Sequence, residues 1–179
     1  MNVLLGVTGG IAVYKSCELV RGLREEGHEV TVVMTQAATR FVTPLTFATL
    51  SGRKVGTGLF DDGDPEIDHI RLARWPDLVV IAPATAQTLA RLAHGMADDL
   101  LSTVVLASER SVPIVLAPAM NTAMWENPLV QQNLERLVAT ERFHVVPPVE
   151  KTLACGETGV GGLAEEALIL AAIRRLTAG

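Results

Sequence analysis

The chain opens on a run of apolar and small positions over residues 3–7, Val-Leu-Leu-Gly-Val, and breaks at Thr8-Gly9-Gly10. From there Ala12, Ser16, Leu19, Val20 and Leu23 recur at the spacing of one helical face until Gly27 stops them. This predicts a strand, a glycine turn and a helix. Residues 28–34 are β-branched and of strand length, so a parallel βαβ unit follows at once. Further strands are predicted over 78–83, 112–117 and 143–146, with helices over 86–92, 98–107, near 127–140 and over 164–176. Continuous apolar strands separated by helical periods imply a parallel sheet covered on both faces, with right-handed crossovers. The expected fold class is therefore α/β: a doubly wound sheet in a single domain spanning residues 1–179. Two segments fit the alternation poorly, 52–68, rich in Gly and Asp, and 147–162, rich in Gly with one Cys. Both read as long functional loops.

Composition narrows the partners. Hydrophobic residues make up 49% of the 179 and charged residues 20%, which promises a large interior. Apolar runs such as 78–82 and 114–117 are strand length, far short of the roughly 20 residues of a membrane-spanning helix. No membrane partner is expected. The N-terminus enters its strand without the basic start of a signal peptide, so a cytoplasmic location is expected. Net charge is -5 and the basic residues are dispersed, which speaks against nucleic acid. Cys17 and Cys155 match no disulfide or metal-ligand spacing, and the four histidines form no zinc motif. No metal is expected.

Several stretches carry potential chemistry. The Gly-Val-Thr-Gly-Gly-Ile-Ala turn over 6–12 sets small residues and free amides between a strand and a helix, where a phosphate is favoured; an ordinary tight turn reads the same way. Strand ends at 34–38 and 80–88 present hydroxyls where open α/β sheets bind ligands, although Thr also caps helices. His69 is a possible base, or a plain surface histidine. The stretch 118–125, Pro-Ala-Met-Asn-Thr-Ala-Met-Trp, follows a buried strand and places Asn121 to donate to a carboxylate, while its Met and Trp residues could be core. Cys155 lies in a glycine-rich loop able to close over a ligand. Cys17, on the striped helix, reads as a packing residue.

Taken together, the 6–12 turn, His69 in His-Ile-Arg-Leu, the Ala-Pro-Ala-Thr-Ala loop, Asp98-Asp99-Leu100-Leu101, the Met120-Asn121 stretch and Leu-Ala-Cys-Gly-Glu-Thr-Gly resemble the homo-oligomeric flavin-containing cysteine decarboxylases. The resemblance covers nearly the whole chain and implies a Rossmann-like, flavodoxin-like sheet. It assigns an FMN to Gly9, Gly10, Ile11, Thr35, Phe41, Thr85, Ala86 and Thr88. It makes His69 the catalytic base, Asn121 the ligand of the substrate carboxylate and Cys155 an acid on a flexible clamp. Met120, Met124, Ala154 and Gly156 complete the substrate site by the same resemblance.

The implied activity is that of a lyase of coenzyme A biosynthesis, converting 4'-phosphopantothenoylcysteine to 4'-phosphopantetheine. The substrate thiol is oxidised by flavin to a thioaldehyde, CO2 is lost, and the enethiolate is reduced again, Cys155 supplying the proton. Family members form homotrimers or homododecamers with flavin at the subunit interface. The clamp departs from those enzymes at Gly162-Leu163, where they usually have Arg or Ala and then Met. Many bacterial relatives carry a C-terminal ligase, and residue 179 falls before any such domain. A close alternative substrate is the C-terminal cysteine of a ribosomal peptide. More distant readings are a flavin prenyltransferase or a flavodoxin-like electron carrier, which share the sheet.

Overall fold

A computed structural model describes residues 1–59, 69–152, 156 and 158–177. Its centre is a five-stranded parallel sheet made of β1 (Asn2–Val7), β2 (Glu29–Met34), β3 (Leu78–Ala84), β4 (Ile114–Pro118) and β5 (Phe143–Val145), in the order β2-β1-β3-β4-β5. Register is set from the first strand outward: Val3 pairs with Val30 on one side and Leu78 on the other. Val79 then pairs with Ile114, and Ile114 with Phe143. The doubly wound class expected from the alternation is the one observed.

The near-continuous apolar strands have a simple cause, because both faces of the sheet are buried. Val3, Leu5 and Val7 point into one cluster and Leu4 into the other. Leu78, Val80 and Ala82 likewise alternate with Val79 and Ile81. The first cluster is closed by α1 (Lys15–Glu25), α2 (Pro44–Ser51) and α8 (Glu166–Thr177), through Leu19, Leu23, Phe47, Ile169 and Ile173. The second is closed by α3 (His69–Arg74), α4 (Ala86–Ala93), α5 (Leu100–Ala107) and α7 (Pro128–Val138), through Leu72, Leu89, Leu101, Val104 and Leu137. Among the described residues no helix is long and apolar enough to cross a membrane.

Two expectations need correction. The first helix does not run unbroken from residue 12: a 3-10 turn, Ile11–Tyr14, precedes α1. The stretch 147–162, expected as a loop, holds an antiparallel hairpin of β6 (Val149–Thr152) and β7 (Thr158–Gly162). Its glycines disguise it, since three of the five residues of β7 are glycine and leave little strand periodicity to read. They are there for close approach. A Cβ at Gly161 would lie 2.2 Å from the Met120 carbonyl oxygen, and one at Gly159 2.4 Å from Thr122 Oγ1. Met120 N–H donates to the Gly161 carbonyl over 2.9 Å, so the hairpin is docked on the segment after β4. Between residues 34 and 78 the alternation also passed over α2 and α3.

Candidate functional site

A cavity of about 1020 Å³ opens at the carboxyl ends of β1, β3 and β4. It sits where the strand order reverses, between β1 and β3, the place at which doubly wound sheets receive ligands. Its size is at the upper end of the range of about 300–1,000 Å³ typical of small-molecule and cofactor pockets.

One wall is the turn after β1. Gly9 has no room for a side chain: a Cβ there would stand 2.3 Å from the Ala37 Cβ and 2.8 Å from the Ala37 carbonyl carbon. The β1 turn and the β2 turn are thereby pressed together. Gly10, by contrast, lines the cavity, and within 4 Å its Cβ would meet only Thr85 Cγ2, at 3.8 Å. The missing side chain leaves backbone open to a ligand beside the first amides of a helical turn, which have no carbonyl partner behind them.

The opposite turn is tied to this one by Thr8, which is buried. Its hydroxyl donates to the Pro83 carbonyl over 2.6 Å and accepts from Thr85 N–H over 3.1 Å. Ser16 Oγ donates to the Ala82 carbonyl over 2.7 Å, fixing α1 to β3 as well. Thr85 caps α4, accepting from Thr88 N–H. The helix-capping and ligand-lining readings of this threonine therefore hold together. Replacing Thr8 by Val keeps the shape and removes both bonds, leaving a buried carbonyl and an amide unpaired. Urea unfolding should show a loss of about 2–3 kcal/mol.

The remaining walls come from loops after the other strands. Thr35 lies at the end of β2, and Gln36 Nε2 donates to the Thr57 carbonyl over 3.1 Å, holding residues 57–59 against the cavity. Gly56 is bridged to β2, donating to the Val32 carbonyl and accepting from Met34 N–H. This part of the expected long loop 52–68 thus belongs to the site; residues 60–68 lie outside the described residues. On the far side Ala119, Met120, Asn121 and Met124 line the cavity from the segment after β4. The four-residue helix α6 (Thr122–Trp125) makes this segment helical where a loop was expected. Asn121 caps it, its Oδ1 accepting from Met124 N–H over 3.1 Å. That bond commits the amide oxygen and leaves the amide nitrogen as donor.

Arg91, Asp98 and Asp99 also line the cavity and had not been singled out as ligand residues. Arg91 pairs with Asp99 at 2.8 Å and Asp98 at 3.0 Å. Asp99 meanwhile caps α5 in a reciprocal box with Ser102. Asp three residues before Ser, ahead of an apolar run, was the available signal. The Arg91 Nε is buried and lacks a hydrogen-bond partner among the described residues.

Seven of the eight residues assigned to flavin line this one cavity: Gly9, Gly10, Ile11, Thr35, Thr85, Ala86 and Thr88. Phe41 does not; it follows a 3-10 turn (Ala38–Arg40) and is half exposed. His69 does not line the cavity either. It begins α3, whose Leu72 and Ala73 pack into the second cluster. Gly156, at φ 87°, stands in the left-handed region and is not part of the wall. Ala154 and Cys155 lie outside the described residues. Cys17 is half-buried against the first cluster, and burial, with the Glu18 charge, raises its thiol above the ordinary value. It behaves as the packing residue expected.

Comparison with known proteins decides the family. Residues 1–178 match the Flavoprotein family. The chain belongs to it. A probable phosphopantothenoylcysteine decarboxylase of Streptococcus mutans is 44% identical over 165 residues, 92% of this chain and 92% of that one. The coenzyme A biosynthesis bifunctional protein CoaBC of Vibrio vulnificus is 44% identical over 95% of this chain, and this chain spans only 42% of its length. Among solved structures, a PPC decarboxylase mutant complexed with pantothenoylaminoethenethiol superposes with a TM-score of 0.87 at 34% identity, over 99% of this chain and 98% of that one. The FMN binding protein AtHal3 gives 0.81 at 34% identity, over 98% and 95%. A flavin is thus the cofactor, and the cavity has open backbone at Gly10 on its wall.

Proposed function

We propose that this chain, acting as one domain over residues 1–179, is an FMN-dependent carboxy-lyase that converts 4'-phosphopantothenoylcysteine to 4'-phosphopantetheine. The observation that carries the reading is Asn121. Its amide oxygen is held by the α6 cap, and its amide nitrogen serves a cavity whose other wall is the Gly9-Gly10 cradle. An amide donor fixed opposite a flavin site is what an α-carboxylate about to be lost requires. The similarity to a decarboxylase in complex with an aminoethenethiol analogue supports the same substrate class.

FMN is favoured over a larger dinucleotide by the AtHal3 likeness and by a cavity with no second phosphate cradle among its described walls. When bound, it supplies a reversible two-electron acceptor for the substrate. The chain's own part is to hold and move protons. His69 takes the proton of the substrate thiol, Asn121 anchors the carboxylate against Met120 and Met124, and Cys155 returns a proton to the product, with Ala154 and Gly156 beside it.

We also infer a cytoplasmic homo-oligomer, a trimer or a tetramer of trimers, with flavin at the subunit interface. Ile11, Tyr14, Phe41 and Leu45 are all half or more exposed, and the first two belong to the cofactor turn. Large apolar side chains left in water beside a site mark an interface. This contact would bring His69, outside the cavity of its own chain, to the flavin of a neighbour.

The test is direct. Flavin-loaded protein is mixed with 4'-phosphopantothenoylcysteine and, separately, with a Cys-terminated peptide, and loss of CO2 is followed by mass spectrometry. Turnover of the phosphorylated compound to 4'-phosphopantetheine is expected. Turnover of the peptide alone would move the enzyme to peptide modification, and turnover of neither would leave only the flavoprotein fold.

A further inference from the structure

A second cavity, of about 530 Å³, lies away from the cofactor, beside the amino-terminal half of the edge strand β2. Its size is that of a small-molecule site. The chain as a whole is acidic, at a net charge of -5, yet the described walls of this cavity set Arg24, Arg53, Lys54 and Arg71 around a single carboxylate, Glu29. The four cations come from the end of α1, the segment after α2, and α3, so no single solvated helix face accounts for them. Lys54 and Arg71 are engaged in interactions of their own and add positive charge to the wall. Arg24 and Arg53 supply the directed donors.

Both of these arginines are held before any ligand arrives. Arg24 donates from one Nη to the Leu50 carbonyl over 2.9 Å. Arg53 lies over the Trp75 ring, 5.0 Å from its centroid, and donates from one Nη to Glu29 over 3.0 Å. Its backbone is fixed as well, because Ser51, a buried residue of the same wall, accepts from the Arg53 N–H over 3.2 Å. A guanidinium carries five N–H donors, so each fork keeps donors beyond the one bond its side chain makes here. The Arg53–Glu29 pair is well exposed on both sides and adds little to folding. One carboxylate also leaves most of the positive charge around the cavity unopposed, and an anion with several oxygens relieves it.

We propose that this cavity binds the diphosphate group of a small molecule, at a site separate from the cofactor cavity, with Arg24 and Arg53 as the residues that hold it. A carboxylate offers two oxygens and satisfies one fork. A diphosphate carries oxygens on two phosphorus centres and accepts from both forks, with Lys54 and Arg71 supplying further charge. Charge-assisted bonds of this kind are each worth about tenfold or more in affinity.

The test titrates flavin-loaded protein, its cofactor cavity filled, with inorganic diphosphate, ADP and adenosine by calorimetry. Diphosphate and ADP should bind saturably without releasing flavin, and adenosine should not bind. Arg24→Gln and Arg53→Gln should each weaken binding at least about tenfold with flavin content unchanged, and Glu29→Gln, which removes the opposing charge, should tighten it. Tighter binding of ADP than of diphosphate makes the ligand a nucleotide. Equal binding makes it diphosphate itself.

Trp75 gives a local readout. The chain has two tryptophans, so in Trp125→Phe the indole emission is that of Trp75 alone, and a ligand that engages Arg53 over its ring changes that emission. Diphosphate that binds without changing it, or that binds both arginine variants as tightly as the parent, sits elsewhere and overturns the proposal. A parent that binds no diphosphate, releases flavin to it, or takes adenosine as well as ADP overturns it too. None of these measurements needs turnover, so failure of the decarboxylase reading would leave the site standing.

Discussion

The Gly9→Val protein will be purified without its flavin, and FMN titration will show affinity at least about a hundredfold below that of the unaltered protein. Even a single methyl group at this position would stand 2.3 Å from the Ala37 Cβ and 2.8 Å from its carbonyl carbon. Backbone has to move to make room, and the backbone that moves is that of the two turns lining the cavity. Overpacking in such places costs about 1–3 kcal/mol, and the top of that range, about 2.8 kcal/mol, is a hundredfold if it is taken from the bound state. The strands behind the turn keep their alternating contacts, so circular dichroism should report an intact fold.

The neighbouring glycine supplies the contrast. Within 4 Å a Cβ at Gly10 meets only Thr85 Cγ2, at 3.8 Å, so Gly10→Ala should fold and melt like the parent. It should weaken FMN only by intruding on the ligand. A colourless Gly10→Ala beside a yellow Gly9→Val would reverse the assignment of the two glycines.

How much of this was readable from the amino acids depends on what each element uses to announce itself. β1, β3 and β4 are buried on both faces, and no choice of face was needed to find their unbroken apolar runs. Alternation of strand and helix then fixed the class of sheet and put the site at its carboxyl edge, where seven of the eight flavin assignments converge. α2 was missed although Pro44 at its first turn and Gly52, at φ 72°, mark both its ends. Its apolar residues do not form a single stripe, so periodicity passed over it. The β6-β7 hairpin was missed for the opposite reason. It is held by what β7 lacks, since Gly159 and Gly161 let backbone reach the segment after β4.

Phe41 and His69 show a different limit. Both were placed by resemblance, and both lie off the cavity wall of the isolated chain. Nothing in local spacing distinguishes a residue that serves its own site from one that serves a neighbour's. Arg91 and Asp98 are the converse case: local spacing gives no sign that they meet, and only packing brings them together at the cavity, where the guanidinium pairs with both Asp98 and Asp99.

Asn121→Asp will lose about a thousandfold in kcat/KM for decarboxylation while its melting temperature stays within about 2 °C of the parent. Local structure is spared because a carboxylate oxygen accepts from Met124 N–H as the amide oxygen does, and Asp is as good an N-cap as Asn. Chemistry is not spared. The donor that would meet the substrate carboxylate is replaced by a second negative charge, so attraction becomes repulsion in a partly desolvated site. Asn121→Ala separates the two roles from the other direction. It removes the cap, costing about 1 kcal/mol of stability, yet places no charge against the substrate. Activity should therefore fall further in the Asp variant and stability further in the Ala variant. If the two losses rank together, Asn121 is a capping residue alone and the carboxylate must be held elsewhere in the cavity, with Arg91 the next group to test.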